Sequence, residues 1–113
     1  MSRLSREQIL GAKDITQEEV FVKEWGGSVL VQSLSGAKRA AILKVAMSDK
    51  GKIDTGKLYP LLMVEGVAEP KFEKADVDAL NEKNSGALET VCKVVMRLSG
   101  ISADDLEDEE KNS

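Results

Sequence analysis

Two short hydrophobic runs between residues 18 and 34 have the composition of β-strands. Residues 19–23 (EVFVK) and 28–32 (SVLVQ) are rich in β-branched side chains, and the first also contains a phenylalanine. The segment between them, 24–27 (EWGG), carries two adjacent glycines, which adopt the positive-φ conformations that tight hairpin turns require. The pattern therefore predicts an antiparallel β-hairpin over residues 18–34.

Both faces of this predicted ribbon carry hydrophobic side chains. Because side chains alternate along a strand, Val20 and Val22 share one face, while Phe21 points to the other. In the second strand Leu30 is likewise opposite to its valine neighbours. A two-stranded ribbon is only marginally stable in water, so we expect it to rest on helices or to pair with another chain.

A helix is predicted directly after the hairpin, with Ser35 as its N-cap. Its end is expected near residues 49–51, with Gly51 as the C-cap. Hydrophobic residues recur in this helix at spacings of three and four, which predicts a broad apolar face. That face comprises Ala37, Ala40, Ala41, Leu43, Val45 and Met47.

Three further helical segments follow. The first begins at Asp54 or Thr55 and runs toward residue 64, unless Pro60 kinks it or the helix begins only at that proline. A loop is expected over 66–70, and then a short helix over 74–80. The strongest helical pattern covers 86–98, with Ser85 as its cap. Its apolar stripe comprises Leu88, Val91, Cys92, Val95 and Leu98.

These elements predict an α+β fold that is mostly α-helical, with an N-terminal antiparallel β-hairpin packed on a small bundle of three to five helices. Residues 1–17 are expected to be a flexible polar leader, in which Ser5 and Gln8 have the spacing of a helix capping box. Residues 18–100 form a single globular domain, and residues 101–113 an acidic tail that is either a final helix or a frayed end.

The charge changes this picture because it is distributed unevenly. The 113 residues carry 16 Lys and Arg against 20 Asp and Glu, a net charge of −4. Six of the acids and one of the bases lie in 101–113, so the rest of the chain is almost neutral. Residues 38–57 hold six bases and two acids, but no nucleic-acid motif accompanies them, and we expect no nucleic-acid partner.

Catalysis is disfavoured by what the composition lacks. The chain contains no histidine, which excludes histidine-based acid–base chemistry, and its one cysteine excludes a disulfide framework or a cysteine-cluster metal site. We therefore expect no catalytic residue, no cofactor and no metal. Cys92 lies on an apolar stripe and is expected in the core. No apolar run is long enough to span a membrane and no signal-peptide core is evident, so a cytoplasmic location is expected.

Binding residues are expected on the hairpin and on the helix that follows it. Trp25, beside the two-glycine turn, is either an interface anchor or a cover over the core. Exposure along the ribbon and the helix suggests a protein-binding surface that comprises Phe21, Trp25, Leu30, Leu43 and Met47. The free edge of the ribbon also favours self-association.

Several short motifs follow one another in a definite order along the chain. The central ones are a valine-rich strand, acid-Trp-Gly-Gly, a second strand and Leu-Ser-Gly, found at 20–31 and 34–36. The series continues with Phe72, the segments 76–80 and 83–88, and Arg97-Leu98-Ser99-Gly100 before an acidic end. In this order the motifs resemble those of the tail assembly chaperones of long-tailed bacteriophages and prophages. The resemblance extends from about Leu4 to Leu106 and is interrupted over 58–70.

The resemblance implies a role without catalysis. Such chaperones bind the long, helical tape measure protein, keep it soluble, and help recruit tail tube protein around it. The partners it implies are the tape measure protein, the tail tube protein and a longer, frameshifted form of the chaperone itself. It places the protein in the cytoplasm of the bacterial host and outside the mature virion. The alternative is a structural tail or head–tail connector component.

Overall fold

The computed structural model describes residues 2–101. These form a mostly helical α+β domain, as the sequence predicts. The strands are β1 (Gln17–Val22), β2 (Gly27–Gln32) and β3 (Val67–Glu69). The α-helices are α1 (Arg6–Leu10), α2 (Gly36–Ala46), α3 (Thr55–Gly66), α4 (Val77–Asn81) and α5 (Ser85–Leu98). The expected acidic helix or frayed end after Ile101 lies outside the described residues.

The predicted hairpin is formed by β1 and β2, which pair in antiparallel register with Val20 opposite Val29 and Val22 opposite Gly27. Its inner face is buried against α5 and carries Val20, Val22, Val29 and Val31. The turn is a single 3₁₀ turn, Lys23–Trp25, closed by Gly26 at φ 69°. Only this first glycine needs the left-handed conformation, because Gly27 already belongs to β2.

A third strand occupies the stretch that the sequence predicted as a loop. β3 pairs antiparallel with β2, with Val67 opposite Val31, and its Val67 side chain is almost fully buried. The prediction of a loop over 66–70 was therefore wrong. A strand of three residues is too short to show alternation, and the flanking Gly66 and Pro70 suggested a break in structure.

Helix α2 begins as predicted but ends earlier. The Ser35 hydroxyl accepts a hydrogen bond from the Lys38 backbone N–H at 3.2 Å, which makes Ser35 the N-cap. The last helical residue is Ala46, and Met47 then forms an isolated antiparallel bridge with Ile53. Gly51, at φ 78°, lies in the turn between these two residues and is not the C-cap of the helix. A single bridge between two loop residues leaves no periodic signal in a sequence, so this bridge could not be predicted.

Helix α3 starts five residues before Pro60, which excludes a helix that begins at the proline. Asp54 is its N-cap, and its carboxylate accepts a hydrogen bond from the Gly56 N–H at 2.9 Å. The short helix predicted over 74–80 is present as a 3₁₀ turn, Lys74–Asp76, that leads into α4.

Helix α5 is the centre of the core and packs against α3, β1 and β2. Its predicted stripe is buried at Leu88, Val91, Cys92 and Val95, and is half-buried at Leu98. The N-cap is Asn84 rather than the predicted Ser85, because the Asn84 side chain accepts the Ala87 N–H at 3.0 Å. Ser85 is the first residue inside the helix.

The leader contains the one-turn helix α1, closed by the predicted capping box. Ser5 Oγ accepts from the Gln8 N–H at 3.1 Å, and Gln8 Oε1 accepts from the Ser5 N–H at 2.7 Å. No residue of α1 is buried. Strand β1 begins at Gln17, one residue before the expected start of the globular domain.

Candidate partner-binding surface

An apolar groove of about 250 Å³ lies between α2 and α3. Its floor and walls are formed by Ala37, Ala41, Ile42, Val45 and Leu61. The groove exists because α2 packs mainly against α3, burying Ile42 and Ala46. The adjoining side of the helix, with Ala37, Ala41 and Val45, stays exposed, and Val45 keeps 55% of its accessible surface. The small side chains of Ala37 and Ala41 leave the space between α2 and α3 unfilled.

Charged side chains border this groove. Lys38 and Glu65 stand 3.7 Å apart, from Lys38 Nζ to Glu65 Oε2, and both are partly exposed. Lys74 also lines the groove. Helix α2 itself contains three bases and no acid. The groove is therefore an apolar floor with a net positive border.

The structure brings two of the predicted binding residues together on the outer face of the sheet. Phe21 is 64% exposed, and Leu30 is half-buried on the neighbouring strand. In the register of the hairpin, Phe21 lies opposite Ser28 and Leu30 lies opposite Glu19, so the two side chains are diagonal neighbours. This pair forms a second, smaller apolar surface.

Trp25 lies apart from that pair. It keeps 36% of its accessible surface and lines a cleft with Phe72, Leu80 and Lys83. Phe72 is half-buried beside it. Trp25 is therefore neither a fully exposed tip nor a fully buried cover.

Leu43 on α2 and Met47 directly after it, two of the predicted binding residues, are half-buried and pack against the core. The exposed apolar residues of α2 that line the groove are instead Ala37, Ala41 and Val45. Their four-residue spacing was visible in the sequence, but the groove also needs Leu61 from α3, which no local pattern connects to them.

The leader adds exposed hydrophobic residues on the N-terminal side. Leu4, Ile9, Leu10 and Ile15 each keep about half or more of their accessible surface, between 47% and 69%. No burial in the core fixes the position of α1.

The buried thiol is chemically inert in this fold. Burial raises the pKa of Cys92 from 9.0 to about 12, and its Sγ donates a weak hydrogen bond to the Tyr59 carbonyl oxygen at 3.5 Å. Burial, with a smaller contribution from Glu89, also raises the pKa of the neighbouring Tyr59. Residues 2–101 contain no cluster of three or more side chains suited to hold a metal ion.

None of the helices described in residues 2–101 has the length and apolar character needed to cross a membrane. Comparisons of the chain with protein-family models, with curated proteins and with solved structures found no significant match.

Proposed function

We propose that this protein is a non-catalytic chaperone that binds apolar helical segments of a partner in the groove between α2 and α3. The observation that carries the proposal is the exposure of Ala37, Ala41 and Val45, which help to form the apolar floor and walls of the groove. Exposed apolar surface that is concentrated in one concave place is typical of a protein-binding site. The partner that the sequence resemblance favours is a tape measure protein.

The dimensions of the groove suit a helix as its occupant. From Ala37 to Val45 the α2 axis advances by about 12 Å, which is slightly more than two helical turns. An amphipathic helix laid along α2 places two or three side chains of its apolar stripe over that length, at spacings of three and four. A tape measure protein is long and helical, so it offers such stripes repeatedly and several copies of this small domain can bind one partner.

The outer face of the sheet supplies a second contact in this proposal. Phe21 and Leu30 form an apolar surface on the hairpin, separate from the residues that line the groove. A tail tube subunit, or a longer form of the same protein, is the partner we propose for it. We propose that the protein acts in the host cytoplasm during tail assembly and is absent from the finished virion.

A structural role in the tail or in the head–tail connector is the second candidate. The observation that favours it is the position of β1, a six-residue strand at the edge of the sheet. An edge strand offers unpaired backbone groups to another subunit, which is how many assemblies extend a sheet. Mass spectrometry of purified particles separates the two candidates, because a structural component stays in the particle and a chaperone does not.

Co-expression with the tape measure protein of the same genome tests the chaperone proposal. Wild-type protein should increase the soluble fraction of the tape measure protein, and Val45→Asp should abolish most of that increase. Lys44→Ala is the matched control, because it changes the net charge by the same amount at a neighbouring exposed position that does not line the groove. If the three proteins leave the soluble fraction equal, the proposal is wrong.

A further inference from the structure

We propose that the groove between α2 and α3 has an occupant within the same chain, the acidic C-terminal segment 102–113. Its docking does not depend on the proposed function, although the consequence for partner binding rests on it. The segment carries six acids and one base, and its single large apolar side chain, Leu106, stands between acids on both sides. An apolar residue flanked by carboxylates is the chemical complement of an apolar floor with a positive border.

The chain leaves the described structure next to the start of α2. Ile101 is buried, and its N–H donates to the Met96 carbonyl oxygen at 2.8 Å, which fixes the last described residue on the end of α5. The Leu34 N–H donates to Ser99 Oγ at 2.8 Å, which joins this end of α5 to the entrance of α2. The first groove residue, Ala37, follows Leu34 by three positions.

The segment is long enough to reach the groove. The five residues from Ile101 to Leu106 span up to about 17 Å when extended. The apolar floor extends for about 12 Å along α2, from Ala37 to Val45. Ser99 contacts Leu34, and the three residues from Leu34 to Ala37 span at most about 11 Å, so Leu106 is within reach of the start of the floor at Ala37.

Charges along this route favour an acidic segment. The N-terminal end of α2 carries the positive end of the helix dipole, and Lys38, in the first turn of this helix, lines the groove. Lys74 borders the groove from the other side. The opposing charges are Asp14, near the entrance at Ser35 and Gly36, and Glu65, which pairs with Lys38. The two bases and the positive end of the helix dipole together leave this route net positive against the two acids.

Such docking makes the tail a competitor of the partner. It covers the exposed side of α2 while the protein is free, and a partner helix with a larger apolar stripe displaces it. Because exposed charges are screened by salt, the tail binds most firmly at low ionic strength.

Amide chemical shifts of the full chain test this inference without any partner protein. Spectra are compared for wild type, Leu106→Ser and Leu4→Ser at about 0.01 M and about 1 M salt, where the screening length falls from about 30 to about 3 Å. We expect the amides of Ala41, Val45 and Leu61 to shift in Leu106→Ser at low salt, and wild type at high salt to approach the same positions. Leu4→Ser is the control, since it removes an exposed leucine of the leader and should leave these amides unchanged.

Two outcomes overturn the inference. If the three groove amides coincide in wild type and Leu106→Ser at low salt, the segment does not occupy the groove. If these amides shift on tenfold dilution of wild type, the occupant is the tail of a second copy and the docking is not intramolecular.

Discussion

The side chain of Asn81 replaces a backbone hydrogen bond that Pro60 cannot make. In a regular helix the Gly56 carbonyl oxygen accepts from the N–H of the residue four positions later, but here that residue is a proline without an N–H. Asn81 Nδ2 donates to this oxygen instead, at 2.9 Å. The last residue of α4 thus stabilises α3 at the position where a proline would otherwise weaken it.

Removal of this side chain should destabilise the domain modestly. We expect Asn81→Ala to lower the free energy of unfolding by about 0.5–1.5 kcal/mol, because the Gly56 carbonyl loses its protein donor at a site that water can still reach. Urea unfolding of wild type, Asn81→Ala, Pro60→Ala and the double variant measures the coupling. In the Pro60→Ala background a backbone donor is available, so the loss from Asn81→Ala should be smaller. Equal losses in both backgrounds would show that the two residues are not coupled.

A second prediction concerns the close approach of α3 and α5. A Cβ atom placed on Gly66 would lie 2.5 Å from Val95 Cγ1 and 2.7 Å from Val95 Cγ2, in a fully buried contact. We expect Gly66→Ala to cost about 1–3 kcal/mol of stability through overpacking. Gly36→Ala is the control, because a Cβ there meets no atom within 4 Å and should leave the stability unchanged or raise it by up to about 1 kcal/mol. Thermal unfolding of the two variants measures both effects. A Gly66→Ala protein that is as stable as wild type would contradict the close packing of α3 against α5.

The alternation of the hairpin gives a third prediction. Val22 is 1% exposed on the inner face and Phe21 is 64% exposed on the outer face. We expect Val22→Ala to cost about 1–3 kcal/mol through the cavity it leaves. Phe21→Thr removes more atoms, but the position is exposed and threonine also favours strands. The free energy of unfolding of this variant should therefore stay within about 0.5 kcal/mol of that of wild type. Denaturant midpoints that reverse this order would mean that the register of β1 is shifted by one residue.

The buried thiol predicts how stability depends on pH. The pKa of Cys92 is about 12 in the folded protein against 9.0 as its ordinary value, so the raised pKa leaves stability unaffected below pH 9. Between pH 9 and about 12 only the unfolded chain releases the proton, and stability falls by up to about 1.4 kcal/mol per pH unit. Unfolding of wild type and Cys92→Ala at several pH values should show a steeper decline in wild type above pH 9. Parallel declines would contradict the burial of the thiol.

The same burial predicts that the native thiol does not react with a disulfide reagent until the protein unfolds.

The sequence predicted the elements whose signals are local. Helix α5 has a complete apolar stripe and the hairpin has valines on one face of each strand, so both were recognised with nearly correct bounds. β3 was missed because three residues carry no period, and what makes them a strand is pairing with β2, which is distant in the chain. The support of Gly56 by Asn81 joins residues 25 positions apart and leaves no local trace.

The binding surface shows the same limit in another form. The sequence predicts a broad apolar face on α2, but it does not predict which part of that face α3 covers. The structure places Leu43 on the covered side and Val45 on the exposed side. The prediction expected Leu43 to be exposed, and it was wrong because the packing of α3 against α2 decides which residues of the apolar face are covered.

Direct binding of a tape measure segment tests the groove most sharply. Isothermal titration of the full chain with a peptide from the apolar stripe of that protein gives a dissociation constant for wild type, Val45→Asp and Lys44→Ala. We predict that Val45→Asp weakens binding by about tenfold or more, a loss of at least about 1.4 kcal/mol, because a carboxylate is placed on the apolar floor. Lys44→Ala should stay within about threefold of wild type. Equal dissociation constants for wild type and Val45→Asp would contradict the groove as the binding surface.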